Sequence, residues 1–280
     1  MAWQRLEVKD EVEVKSLYTL FKRQHQCGYS FIGEMHDFWE MMYVIDGEVT
    51  VSADENVHEF RSGDIIFHKP LELHKFNVDG KNGATLLVIS FDMTGKLADS
   101  MKNAAYHLNG FQRSVINNFL EFLDVEYEKT ADLRGEKNSP NILTYFENDS
   151  IFLQTTALFI TRMVLMLSGG AKTLLKTKTY ETELFKKALQ IMNENISENL
   201  SVSDIADNLN MSVSGLKRLF NKYAGMSVHK YFLTLKIKTA TIMLKNGTPV
   251  GEVADSLGFS SQAYFSATYK RETGNNPSQT

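Results

Sequence analysis

The chain has 280 residues, of which 43% are hydrophobic and 23% charged, and a net charge of −4. That length suits two domains better than one, and that balance excludes a disordered or collagen-like chain. The single cysteine, Cys27, excludes an internal disulfide, and the first ten residues lack the apolar core of a signal peptide. The expected compartment is therefore the cytoplasm.

From about residue 12 to 91 the pattern is short strands and turns. The apolar run 41–45 meets Asp46-Gly47, and Val49-Thr50-Val51 alternates after it, which predicts a hairpin at Asp46-Gly47. Phe60, Gly63-Asp64 and the run 65–67 repeat the theme, as in an all-β barrel or sandwich. From about 99 the period turns helical. Phe111, Val115, Ile116, Phe119, Leu120 and Leu123 recur at spacings of three and four. Residues 129–148, polar and holding Pro140, read as a loop with one helical turn. The most apolar stretch, 151–168, contains Gln154, Arg162 and four Thr or Ser residues, so a buried helix is predicted there and no membrane span. Gly169-Gly170 ends it, and a Lys/Thr-rich linker follows.

The last hundred residues carry an internal repeat. Ile205-Ala206-x-x-Leu209 precedes Asn210-Met211-Ser212, and 48 residues on, Val253-Ala254-x-x-Leu257 precedes Gly258-Phe259-Ser260. Each block is a short apolar-periodic helix, a tight break, a serine able to cap, and a second helix. That is the helix-turn-helix pattern. The predicted helices are 202–208 and 213–223, a long one over 228–245, then 250–256 and 261–272. Leu216, Leu219 and Phe220 are expected in the core, as are Tyr264, Phe265 and Tyr269. Residues 171–280 hold 14 Lys/Arg against 9 Asp/Glu, and residues 1–170 hold 16 against 25. A basic end beside an acidic remainder fits a nucleic-acid module attached to something else.

Gly-Phe-Ser-Ser-Gln-x-Tyr-Phe over 258–265, Lys270-Arg271, Gly274 and Pro277-Ser278 resemble the signature of the AraC/XylS transcription regulators. Ser212, Leu216, Arg218, Phe220 and Gly225-Met226-Ser227 match its first unit. The resemblance covers roughly residues 185–280. It implies that both second helices enter the major groove of double-stranded DNA on one face, about 34 Å apart. The expected DNA contacts are Val213, Ser214, Lys217, Arg218, Asn221 and Lys222, then Ser261, Gln262, Ala263, Ser266 and Lys270. Lys217 and Arg218 suit guanine edges and Gln262 suits adenine. Lys222, Lys236, Lys238 and Lys270 are expected at phosphates or in solvent. The chain departs from the family at Ala267, where an arginine often reads a base, and at Lys236, where arginine is usual.

Upstream, Glu34-x-His36-x-x-x-Glu40, Gly47, Gly63-Asp64 and Pro70-x-x-x-His74 resemble the two motifs of cupin barrels, which such regulators carry before their DNA module. His36, Glu40 and His74 match metal-ligand positions, but Glu34 stands where the first histidine belongs. The expectation is a fold trace with no metal and no cofactor. His36, Glu40 and His74 are the residues that would hold an ion. His36, Phe38, Glu40, Tyr43, His74 and Phe76, with Trp39 nearby, are expected to line a small-molecule pocket.

The predicted fold class is α+β: a cupin-like barrel over 1–98, a helical dimerisation region over 99–170, a linker over 171–180, and an all-α DNA-binding domain over 181–280. The expected function is a homodimeric, DNA-binding transcription regulator controlled by a small metabolite, with a sugar the expected kind and RNA polymerase a further partner. It is not expected to be an enzyme. The alternatives are a metal-dependent cupin isomerase or dioxygenase, which needs a complete metal site, and a dimeric regulator that senses nothing.

Overall fold

Short runs of Val, Ile, Leu, Phe and Met in the N-terminal third pair into antiparallel strands. The computed structural model describes residues 3–131, 139–169 and 179–280. Its strands are β1 (Glu13–His25), β2 (Trp39–Ala53), β3 (Asn56–Arg61), β4 (Asp64–His68), β5 (His74–Val78), β6 (Ala84–Thr94) and β7 (Ala104–His107). The sheet order is β1-β6-β2-β4-β7, with β3 and β5 also pairing with β2.

Strand β2 shapes the barrel. Its first half pairs with β6 and β4, and its second half pairs with β3 and β5. The predicted hairpin at Asp46-Gly47 is not one. The strand runs through that point, with a register shift against β6 between Val44 and Asp46. Gly47, at φ +88°, lets it bend there: a Cβ would stand 2.2 Å from the Gly83 carbonyl oxygen. The reversal comes later, at Asp54, where φ is 47°.

Both faces of the main sheet are buried, which erases the polar-apolar alternation of a half-exposed strand. Met42, Val44, Ile66 and Leu86 point into the barrel. Trp39, Met41, Tyr43, Leu87, Ile89 and Phe91 point the other way. There they meet α2 (Gly110–Glu128) and α3 (Ser150–Ser168), reached after the short α1 (Lys96–Ser100). Phe119 of α2 stacks on Phe159 of α3 with ring centroids 3.9 Å apart. By length and composition α3 is apolar enough to cross a bilayer, but Phe152, Phe159, Ile160, Met163 and Val164 are in this core. Between the two helices, residues 142–145 form the one helical turn expected of the loop. Because β7 returns to pair with β4, the sheet extends past residue 98, where the barrel was expected to end.

Most of the predicted linker lies outside the described residues. Beyond it come α4 (Tyr180–Glu194), α5 (Val202–Asn208), α6 (Val213–Tyr223), α7 (Val228–Lys245), α8 (Val250–Ser256) and α9 (Gln262–Thr273). Leu216, Leu219 and Phe220 pack with Phe185 and Tyr231 in one core, and Phe265 and Tyr269 pack with Ile237 and Val253 in another. Burying Phe220 alone contributes roughly 1.5–3 kcal/mol. The α+β class is as expected, with a sheet domain followed by a helical one.

Candidate DNA interface and effector pocket

The two helix-turn-helix units are built by the same bonds. In the first, the N–H of Met211 donates to the Ala206 carbonyl at 2.9 Å, and Asn210 has φ 52°. In the second, the N–H of Phe259 donates to the Ala254 carbonyl at 3.0 Å, and Gly258 has φ 64°. Each turn thus reverses through one left-handed residue, 48 positions apart. Ser212 caps α6 by accepting from Gly215 N–H at 3.1 Å, and Ser261 caps α9 by accepting from Tyr264 N–H at 3.1 Å. The 18-residue α7, about 27 Å long at 1.5 Å per residue, joins the two.

The exposed face of α6 carries Val213, Ser214, Lys217, Arg218, Asn221 and Lys222, opposite its buried Leu216, Leu219, Phe220 and Tyr223. On the second unit Ser261, Gln262, Ala263 and Lys270 are exposed and Ser266 is half-buried. Tyr264, expected in the core, is 51% exposed beside Gln262 and Ala263. Its position three before the exposed Ala267 was the missed signal.

The lysines divide differently from expectation. Lys236 is buried, and its ammonium donates to the carbonyls of Glu198 at 2.9 Å and Leu257 at 2.8 Å, so it reaches neither phosphate nor bulk solvent. Burial lowers its pKa. Lys238 is paired with both oxygens of Asp54, at 2.8 and 2.9 Å, on the barrel. Lys222 pairs with Glu181 at 2.6 Å.

The barrel holds a cavity of about 320 Å³. His36, Phe38, Glu40, His74 and Phe76 line it, together with Arg23, Phe31, Glu34, Met42, His68 and Ser90. Tyr43 and Trp39 do not: they lie on the opposite face of β2 from Glu40 and Met42, in the core beneath α2 and α3. A larger cleft of about 1090 Å³ lies between the barrel and residues 179–182 and 222–223. Charged and polar side chains make up much of its lining, whereas the barrel cavity is mostly apolar with a few polar groups, so the barrel cavity is the better effector site.

Aromatic rings wall the cavity. His36 stacks on Phe38 with centroids 3.8 Å apart, Phe31 on Phe76 at 5.3 Å, and His68 on His74 at 4.2 Å. At its floor, His74 Nε2 stands 3.3 Å from Glu40 Oε1 and 3.6 Å from Glu34 Oε1, and His36 Nε2 stands 3.8 Å from Glu40 Oε2. Burial pushes the Glu40 carboxyl up, but His36 and His74 beside it prevail and hold it well below the usual carboxylate range. Burial likewise pushes His74 down, but Glu34 and Glu40 prevail and carry it up to about 10. The floor is therefore a charged cluster inside an apolar chamber.

Known proteins share both halves of this architecture. A family model described as an AraC-like ligand binding domain matches residues 17–118, and one described as a helix-turn-helix domain matches residues 205–280. The chain is 26% identical over 243 residues to the uncharacterized HTH-type transcriptional regulator YidL of Escherichia coli (strain K12), covering 86% of this chain and 74% of that protein. It is 20% identical over 271 residues to the HTH-type transcriptional activator RhaR of Mannheimia succiniciproducens, covering 96% and 92%. Over 104 residues it is 33% identical to the Msm operon regulatory protein of Streptococcus mutans, covering 37% and 36%. The two family matches together span more than half of the sequence, in the order ligand-binding domain then DNA-binding domain, and the chain belongs to the AraC/XylS family of transcription regulators.

Proposed function

We propose that α6 and α9 read double-stranded DNA and that a small molecule in the barrel cavity controls how they are presented. The observation that carries this reading is the pair of matched turns, each aiming a helix with one buried and one polar face, on the two ends of α7. Lys217 and Arg218 are the base-contacting residues of the first unit. Gln262, Ala263 and Tyr264 are those of the second. The units of this architecture are the barrel through His107, the helices α2 and α3, and the DNA module from Tyr180 onward. The protein acts in the cytoplasm and regulates transcription without catalysing a reaction, a reading supported by relatives named as transcriptional regulators. RNA polymerase is the partner an activator would require.

A cavity walled by stacked rings and floored by charged groups suits a polyol whose ring lies on an aromatic face, and a sugar fits that chemistry. Candidate sugars are screened by shifts in melting temperature. A binder raises it in proportion to the logarithm of concentration, whereas flat responses throughout favour a regulator that senses nothing.

The Arg218→Ala variant is expected to bind its operator roughly 10- to 100-fold more weakly, the usual cost of one arginine-to-guanine contact. The site is found by selection from a random DNA pool, and affinity is read by mobility shift. Equal affinity of variant and parent removes Arg218 from the interface.

We further propose a homodimer through α3. Ile151, Leu158 and Leu165 are exposed at seven-residue spacing, a seam along the helix face turned away from the barrel. Leu158→Asp is expected to weaken dimerisation at least ~10-fold, because a carboxylate would be buried unpaired. Sedimentation equilibrium reads this, and a dimer unaffected by the change places the interface elsewhere.

A further inference from the structure

Two histidines at the cavity floor are oriented as a cation would require. His36 Nδ1 lies 3.0 Å from the Phe38 carbonyl oxygen, and His74 Nδ1 lies 3.0 Å from that of Glu72. A carbonyl only accepts, so each Nδ1 donates its proton outward and each Nε2 faces the cluster. Both Nε2 atoms are buried and neither makes a hydrogen bond. A backbone carbonyl behind an imidazole is the usual support of a metal-binding histidine. Glu40 is held in the same way: Ser90 Oγ donates to its Oε2 at 2.9 Å, and Ser90 is in turn bonded to Thr19 Oγ1 at 2.6 Å.

We propose that Glu34, His36, Glu40 and His74 bind one divalent transition-metal ion, and that its presence is felt at the corner between α6 and α7. One donor atom from each residue lies within 4.8 Å of the other three. Donors about 2.0–2.2 Å from a shared ion stand about 3.4 Å apart in a tetrahedron and about 4.3 Å apart across an octahedron, so an inward movement of up to roughly 1.4 Å closes the set. Two imidazole nitrogens with two carboxylates suit zinc, iron(II) or manganese(II), and not calcium, which takes oxygen donors. An ion bound at His74 Nε2 displaces the proton held there by the two carboxylates, and a divalent cation with two carboxylates and two neutral imidazoles leaves the cluster uncharged. The expectation of an inert fold trace rested on the missing first histidine. Glu34 supplies the missing donor at the edge of the cluster, where its side chain is 46% exposed.

The route to the DNA module is short. Glu34 and His74 form a two-way backbone bridge, each N–H donating to the other's carbonyl at 3.0 Å. Their chain neighbours touch the first helix-turn-helix unit. Gly33 packs so close to Ala224 that a Cβ would lie 2.7 Å from its carbonyl oxygen. Lys75 Nζ donates to the carbonyls of Asn221 and Lys222, at 3.0 Å each, at the end of α6. An ion that fixes the side chains of Glu34 and His74 stiffens the bridge that holds this corner. The regulatory part rests on the cavity being the sensing site.

The test strips the full chain with chelator, dialyses it against Zn²⁺ or Mn²⁺, and counts retained metal by atomic absorption. Hydrogen exchange of amides 221–228 is followed in the same samples. One ion per chain is expected, with slower exchange at 221–228 on loading. Glu34→Gln, altered at a half-exposed position, is expected to fold as the parent does, bind at least ~10-fold more weakly and lose the exchange response. No retained metal, or equal retention by Glu34→Gln and His36→Ala, overturns the site. Retention with unchanged exchange overturns the coupling. A melting shift caused by a sugar in a chain that retains no metal overturns the ion while leaving the effector reading intact.

Discussion

Gly258→Ala is expected to destabilise the second helix-turn-helix unit by at least ~2 kcal/mol, with loss of that unit's hold on DNA. Two costs combine. At φ 64° an L side chain pays about 1 kcal/mol for the left-handed backbone. The added Cβ would also lie 1.9 Å from the Ser197 carbonyl oxygen, and backbone cannot swing aside as a flexible side chain can. The first unit separates the two costs, because Asn210 occupies the equivalent place at φ 52°. A non-glycine residue is therefore tolerable there on dihedral grounds, and the contact with Ser197 makes position 258 different. Gly274→Ala is the control: its φ is 80°, but no atom lies within 4 Å of the added Cβ. Calorimetric unfolding should rank Gly258→Ala well below Gly274→Ala. Equal losses would mean that the close approach to Ser197 is unimportant.

Lys236→Met is expected to cost the DNA module about 2–4 kcal/mol, whereas Lys236→Arg should keep most of its stability. The ammonium is the donor to two carbonyls, one from the loop at Glu198 and one from Leu257 at the end of α8. It also sits 5.0 Å from the centre of the Phe232 ring and 5.7 Å from that of Phe259. A thioether of similar length fills the space and leaves both acceptors empty. A guanidinium keeps donors for both, which fits the resemblance that implies arginine at this place. Midpoints of urea unfolding measure the difference. A Met variant as stable as the parent would show that solvent satisfies those carbonyls without help.

The DNA module was legible from the sequence because its signals are local. Capping serines, a 48-residue repeat and periods near 3.6 all act within a few turns, and α5, α6, α7 and α8 start and end where the pattern places them. The barrel was legible as a class and less so in register. A sheet covered on both faces makes strands such as 41–45 apolar throughout, so Asp46-Gly47 looked like an end when it is a bend. Tyr43 was assigned to the cavity on composition. Strand alternation would have corrected it, since Glu40 and Tyr43, three residues apart, cannot share a face. Lys236 and Tyr264 exchanged their expected places because charge and aromaticity predict burial only on average. Glu34 was noted as a departure and not as a ligand, because its closeness to His74 depends on a strand pairing 40 residues away.

The barrel grips the DNA module unevenly. Val57, Leu73 and Met35 of the sheet domain join the core of the first helix-turn-helix unit, Lys75 and Asn77 bond to the end of α6, and Asp54 holds Lys238 partway along α7. Among the described residues, the core of the second unit contains none from the sheet domain. The molecule is thus pinned at one end by a shared core, while near the other end the exposed pair of Lys245 with Asp37, at 3.7 Å, is a weak tether. A small tilt at the pinned end grows along the lever, and the tip sweeps the largest arc, so a modest rearrangement near the barrel decides whether both ends can dock on the same stretch of duplex.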